Sequence, residues 1–491
     1  MYLGIDIGTQ SVKALCFDPT AKRVAAVASA PLSLISRDDG TREQDAAWWV
    51  SALRSCLSSI DHDIRECVRA IGVSGQQHGF VALDDKGQVL APVKLWCDTV
   101  TSPQCDTIMT VFGGVDRCIA EVGNPILPGY TASKIRWLRE FYPELYACLH
   151  TILLPHDYIN FYLTGERAME RGDASGTGLL DIRKGDWHPG MVAALDSERD
   201  LSSCLPPILA AGQVVGHLLP DVARELGLRP GIAVSCGGGD NMMAAIGTGN
   251  VAVGRLTVSL GTSGTLFAYA SQPVIDPTAT LAAFCDSTGG WLPLLCTMNC
   301  TVATELTRDV LMFPLDDLEH CVQASTPGAG GVITLPFFQG ERTPNLPRGQ
   351  GCILGLNHNN YTRENLLRSA MESAVYGLRT GLEVFRQQGC HVADVRVTGG
   401  GAKSRQWRQM VADIFNLPVT KQRVDEGAAL GAALQACWVD NPGVALKGLV
   451  DELLELDEAA CCEPVDAHVS DYDVHYGRYQ QYLAALTPIY E

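Results

Sequence analysis

The 491-residue sequence contains no Gly-Lys dipeptide, so it has no GxxxxGK[ST] phosphate loop and is not a P-loop protein. No GxGxxG follows a strand-like run, which weakens a dinucleotide-binding reading, and the HRD and DFG segments of protein kinases are missing. There are 18 cysteines but no CxxC pair; the nearest clusters are Cys296 with Cys300 and Cys461 with Cys462. That spacing suits neither a structural zinc site nor a redox dithiol, and buried free thiols are expected instead. No Lys/Arg run occurs and the formal net charge is −18, which argues against nucleic acid or an anionic membrane surface as partner. No apolar run approaches the roughly 18 residues of a spanning helix. A basic region ahead of the short apolar start is also lacking, so no membrane association and a cytoplasmic location are expected.

What is present is a globular composition, 46% hydrophobic and 19% charged, on a chain long enough for two domains. The segment YLGIDIG (2–8) predicts a strand, and SVKALCFD (11–18) predicts a second one after a turn at Gly8 and Thr9. Asp6 inside the first strand needs an explanation, because a desolvated carboxylate costs several kcal/mol unless it is paired or meets a cation. The spacing of Trp49, Leu53, Cys56, Leu57 and Ile60 predicts a helix with Asp45 as its N-cap, and residues 68–75 read as a buried strand. Strands alternating with helices indicate an α/β fold. Residues 251–270 repeat the opening pattern, with Gly261-Thr262-Ser263 at the position of Gly8-Thr9. Two domains of like topology follow, parting at Gly237-Gly238-Gly239 as boundary or hinge, with residues 1–241 in the first and 242–491 in the second. Leu367, Met371, Val375, Leu378, Leu382 and Phe385 share one helix face that ends at Gly389. Trp407, Met410, Val411, Ile414 and Phe415 share another, with Pro418 beyond its end, and residues 426–436 predict a helix of small side chains suited to close packing.

Three glycine turns follow strands: Gly8-Thr9, Gly261-Thr262-Ser263-Gly264 and Gly399-Gly400-Gly401. Such turns expose backbone N–H groups that can cradle phosphate oxygens, with hydroxyls adding donors. GIDIGTQSVK (4–13), GGGDN (237–241), SLGTSG (259–264), GERTP (340–344), GCILGL (351–356), NLLRSAME (365–372) and GGGAKSRQWRQMVADI (399–414) together resemble the FGGY family of carbohydrate kinases. The likeness keeps motif order from residue 2 to about 436. It is strongest to the branch acting on D-xylulose, through SGQQHG (74–79), LWCDT (95–99), GYTASKIRWL (129–138), LLPHDYINFYLTGE (153–166) and GDASGTGLLD (172–181). Two positions depart from that branch: Gln77 stands where methionine is common, and Glu170 where many relatives carry aspartate.

The resemblance implies two actin-like (ribonuclease H-like) domains with the active cleft between them, the first holding the sugar and the second ATP. It implies that Asp240 is the general base, although an aspartate there also suits the cap of the following helix. It implies that Asp6 helps to place Mg²⁺ through bound water, the other reading being a strand carboxylate paired with a buried lysine. Gly8, Thr9, Gly261, Thr262 and Ser263 would receive the nucleotide phosphates. Gly400, Gly401 and Ala402 would lie against adenine and ribose, with Ser404 either joining them or only capping a helix. Gln77, His78 and Asn241 would meet the sugar, and Trp96 and Asp98 are further candidates. The expected reaction is ATP with D-xylulose giving ADP and the 5-phosphate, with a small-molecule sugar, ATP and Mg²⁺ as partners and a homodimer as the class-level assembly. Alternatives are another ketopentose, an alditol or a sugar acid such as gluconate, since Gln77 offers a polar contact in place of an apolar one. A sensor of sugar or nucleotide on the same fold is the reading from a different class.

Overall fold

A computed structural model of the protein describes residues 1–490. Alternating side chains build the opening meander of β1 (Tyr2–Ile7), β2 (Ser11–Asp18) and β3 (Arg23–Pro31), each antiparallel to the one before. Asp45 caps α1 (Ala46–Ser58) by accepting from the Ala47 N–H, and the helix buries Trp49, Leu53, Cys56 and Leu57. Next comes β4 (Ala70–Gly75), buried on both faces as a central parallel strand must be, and it pairs parallel with β1. After α2 (Pro155–Thr164) the chain adds β5 (Val214–His217), β6 (Ala233–Ser235) and the short β7 (Gly238–Gly239). The sheet order is β5-β6-β4-β1-β2-β3, with β7 continuing beside β4. The triple glycine expected to be a hinge is therefore part of this sheet. Gly237 takes φ +74, and a Cβ there would lie 2.4 Å from the Val73 carbonyl oxygen, so only glycine fits. It leads directly into α3 (Asp240–Thr248).

A second sheet repeats the pattern. β8 (Gly254–Leu260), β9 (Gly264–Ala268) and β10 (Leu294–Thr297) form an antiparallel meander, and β8 then pairs parallel with β11 (Val392–Thr398), which precedes a parallel β12 (Val419–Lys421). The run β10-β9-β8-β11-β12 thus repeats β3-β2-β1-β4-β6. Between β10 and β11 lies α4 (Arg363–Gln387), capped by Thr362, with all six predicted core positions buried. Before β12 comes α5 (Arg405–Phe415), which ends at Asn416 in the left-handed conformation.

α6 (Gly427–Val439) returns to the first sheet. Its backbone packs directly on β1, β4 and α3: a Cβ on Gly4 would sit 1.9 Å from the Ala429 carbonyl oxygen, one on Gly72 2.0 Å from that of Ala432, and one on Gly431 1.8 Å from that of Met243. Glycine and alanine allow this approach, as the small-residue pattern predicted. The long α7 (Asp466–Tyr490) closes the chain and buries Tyr472, Tyr476 and Tyr479.

The described residues divide into two units that interleave along the sequence. One holds Met1–Ala252, Tyr269–Pro293 and Glu426–Glu455; the other holds Val253–Ala268, Leu294–Asp425 and the chain from Leu456. A single break at 241/242 separates neither α3 nor α6 in this way: both pack with the first sheet. All 18 thiols are free, and no helix among the described residues is long and apolar enough to cross a membrane.

Candidate active site

In the first unit, the carboxyl ends of β1 and β4 and the start of α3 carry the acidic candidates. The Asp6 carboxylate accepts from the Ser74 hydroxyl at 2.8 Å. Burial pushes its pKa up, against the opposing pull of Ser74 and Lys13. Lys13 faces Asp6 across the β1–β2 ladder, but its ammonium is spent on Glu426 at 2.6 Å, so Asp6 has no lysine of its own. Asp240 is the first residue of α3, after Gly239 as N-cap. Burial, followed by repulsion from Asp6 and Asp173, raises its pKa to about 8. Both carboxylates keep a partly exposed edge although protein surrounds them densely.

Asn241 organises the surroundings of Asp240. Its backbone N–H and its side-chain amide both donate to Asp240 Oδ1, at 2.8 and 3.0 Å, and the same amide nitrogen donates to Gln77 Oε1 at 2.7 Å. The Gln77 amide nitrogen in turn lies 3.1 Å from the Met242 sulfur. Gln77 is therefore tied into the α3 network at both ends of its amide. Behind it, Gln435 of α6 accepts from the Ser235 hydroxyl at 2.7 Å and the Gly237 N–H at 2.8 Å, and donates to the Gly237 carbonyl at 3.0 Å. This clamp fixes the glycine turn from which Asp240 projects, and nothing in the local sequence around Gln435 signals it.

The Gly8-Thr9 turn is held by a polar cluster. The Gly8 N–H donates to the Ser11 carbonyl at 3.0 Å, closing the hairpin. The Thr9 hydroxyl donates to Gln76 Oε1 at 3.0 Å and accepts from the Trp96 indole at 3.0 Å, while Gln44 donates to the Thr9 carbonyl at 2.8 Å. Trp96 thus belongs with the turn rather than standing as an isolated platform. Asp98 is fully buried, and both its oxygens are taken: Lys94 (3.1 Å) and the Arg42 N–H on one, the Val100 N–H on the other. Its place is a buried ion pair with Lys94, not the sugar contact expected of it, and a lysine four residues earlier is the sequence feature that could have pointed there.

His78 is buried and adopts φ +63, rare for a side-chain-bearing residue. Its ring lies edge-on to Tyr130 and tilted against Phe284, with centroids 5.4 and 5.3 Å away. Glu170, the second departure from the xylulose branch, is buried and caps the turn at 171–174 by accepting from the Gly172 and Asp173 N–H groups. Burial raises its pKa to about 7, against those two bonds.

In the second unit, Gly261, Thr262 and Ser263 form the β8–β9 turn, with the Thr262 side chain exposed. The carbonyls of Gly261 and Thr262 accept from Thr301 and Cys300, which fastens the turn to the start of the next helix. Gly400 to Lys403 form a single 3₁₀ turn after β11. A Cβ on Gly400 would meet nothing within 4 Å, leaving open space, whereas Gly401 and Ala402 are buried. Ser404 accepts from the Trp407 N–H at 3.0 Å and is the N-cap of α5. Glu341 of GERTP accepts from Met298, Asn299 and Arg342 and is a backbone organiser, not the ion-pair partner of Arg342. No group of three or more metal-ligating side chains occurs among the described residues.

Two sheets of the same strand pattern, each opening with a glycine-turn hairpin, and a partly exposed aspartate at a helix start are the features of an actin-like phosphotransferase. More specifically, the chain belongs to the FGGY family of carbohydrate kinases: the N-terminal domain of that family matches residues 1–247 and the C-terminal domain residues 256–439. A xylulose kinase of Haemophilus influenzae is 43% identical over 99% of this chain and 100% of its own. One from Streptomyces rubiginosus is 37% identical, covering 93% and 94%. The crystal structure of xylulose kinase from Rhodospirillum rubrum superposes with a TM-score of 0.90 at 26% identity, covering 100% and 99%.

Proposed function

We propose that the protein transfers the γ-phosphoryl group of ATP to D-xylulose, giving ADP and D-xylulose 5-phosphate, with Asp240 as the general base. The observation that carries the reading is the state of Asp240: a carboxylate enclosed by protein, aimed by Asn241, and raised to about 8. A base with a pKa near the working pH combines a useful ionised fraction with real proton affinity. Both Asn241 bonds fall on Oδ1, so Oδ2 takes the hydroxyl proton as the sugar oxygen attacks phosphorus and the bond to ADP breaks. Phosphoryl transfer asks for alignment and charge neutralisation more than covalent help.

His78 and Asn241 orient the sugar, and in the second unit the Gly261–Ser263 and Gly400 turns meet the nucleotide. Asp6 suits Mg²⁺: a carboxylate whose pKa is raised, close enough to Asp240 for the two to repel and without a lysine of its own, gains from a cation. When bound with the nucleotide, that ion would neutralise charge on the phosphate oxygens.

D-xylulose is favoured over a sugar acid by Gln77. Its carbonyl is engaged by Asn241 and one amide N–H by Met242, so much of its polarity is directed into the protein and little is left to recruit a carboxylate. Asp240→Asn tests the central role. It should lower sugar-dependent ADP release by about 10²–10⁴-fold while isothermal titration still detects sugar and nucleotide binding; unchanged turnover would remove Asp240 from the mechanism.

A further inference from the structure

Behind His78 runs a chain of buried ionisable groups assembled from separate parts of the sequence. Asp157 Oδ1 lies 2.8 Å from His156 Nε2, His156 Nδ1 lies 3.2 Å from Asp173 Oδ2, and Asp173 Oδ1 lies 3.2 Å from His78 Nδ1. His156, Asp157 and Asp173 are all at most 1% exposed. The His78 backbone is held as firmly. Its carbonyl accepts from Lys134 Nζ at 2.7 Å and from the Thr131 hydroxyl at 3.2 Å, both from the helix Thr131–Phe141. A Cβ on Gly176 would stand 1.7 Å from the imidazole Cε1, so glycine at 176 is what leaves room for the ring.

We propose that Asp173, backed by His156, is a positioning residue for the sugar pocket: it holds the proton of His78 on Nδ1 and thereby presents Nε2 to the ligand as a hydrogen-bond acceptor. The inference rests on the reading that His78 meets the sugar, and it adds which kind of sugar group is recognised there. A neutral imidazole carries one proton, so fixing it on the buried nitrogen leaves the other to accept. The group it meets must then donate, as a hydroxyl does and a carboxylate or carbonyl does not.

The charges agree with this arrangement. Burial alone would lower the His156 pKa, but Asp157 and Asp173 raise it well above its ordinary value. Burial would raise Asp173, but its bonds to His156 and His78 hold it below the usual carboxylate range. A carboxylate 3.2 Å from His78 Nδ1 favours the proton on that nitrogen. Lys134 and Thr131 keep the ring from swinging away by pinning the carbonyl of a residue in a left-handed backbone.

The first test needs no substitution. ¹⁵N spectra of histidine-labelled protein, with the His78 signals identified by their loss in His78→Asn, should show a protonated Nδ1 and an unprotonated Nε2. A proton on Nε2 would overturn the proposal. The second test is kinetic: Asp173→Asn can donate to Nδ1 and so reverse the tautomer. It should raise the sugar KM about tenfold or more, in line with losses on removing a partner that orients a histidine, while the ATP KM stays within about twofold. Because Asp173 acts through His78, the double variant with His78→Ala should have the sugar KM of His78→Ala alone. Additive losses, or equal changes in both KM values, would overturn the proposal. If His78→Ala leaves the sugar KM unchanged, the sugar contact itself fails, and the ¹⁵N result still reports on the tautomer. Should Asp173→Asn not fold, the spectrum of the unmodified protein decides.

Discussion

Asp240 poses the residue-scale problem: what serves the base costs the fold. Its folded pKa of about 8 lies above the ordinary 3.8. Between those values the native protein holds a proton that the unfolded chain has released, so this group makes stability fall as pH rises from about 4 to 8. Asp240→Asn should therefore be more stable than the native protein at pH 8, by about one to a few degrees in Tm. The difference should shrink towards pH 4, and a gap that widens in acid would contradict the assigned shift. Gln77 offers a second residue-scale prediction. Since its amide is spent on Asn241 and Met242, Gln77→Met should change kcat/KM for D-xylulose by less than about tenfold and leave the order of sugars intact; a switch in preferred sugar would give Gln77 a ligand contact. Asp6, Asp240 and His78 stood out as candidates in the sequence because each sits beside a glycine turn or a buried strand in a motif of the family. Asp173, His156 and Gln435 were not assigned roles, because each has a partner 95, 17 or 198 residues away that only folding brings near.

At the scale of elements, periodicity served well wherever one face is buried. The two hairpins, α1, α4 and α5 follow from it, and the small-residue helix α6 was read for close packing. What it packs against was not legible, since glycines on β1, β4 and α3 carry no side-chain signal; they matter by what they leave out. The triple glycine has the same ambiguity: glycine marks boundaries and hinges as well as close approaches, and here Gly238 and Gly239 extend the sheet as β7. Gly72→Ala places a methyl 2.0 Å from the Ala432 carbonyl oxygen. It should destabilise by about 1–3 kcal/mol or more, as overpacking does. Gly448→Ala, on an open surface of the helix Leu446–Leu453, should be neutral or stabilising by up to about 1 kcal/mol. Urea melts of the two variants check the pair; equal effects would contradict the close approach of α6.

For the whole molecule, the duplicated strand pattern was foreseen from the Gly8-Thr9 and Gly261-Thr262-Ser263 hairpins, whereas the interleaving of the two units was not. A chain that lends α6 back to its first sheet gives no compositional sign of doing so, since the choice depends on which surface accepts a backbone-to-backbone contact. Phosphorylation of D-xylulose through Asp240 can be tested in a single assay. The direct measurement is coupled ADP release with ATP and Mg²⁺ across D-xylulose, D-ribulose, L-ribulose, L-xylulose, gluconate, glycerol and L-fuculose, for the native protein and Asp240→Asn in parallel. The highest kcat/KM should be for D-xylulose, and it should be lost in the variant. A higher value for another substrate, or turnover that survives Asp240→Asn, would contradict it.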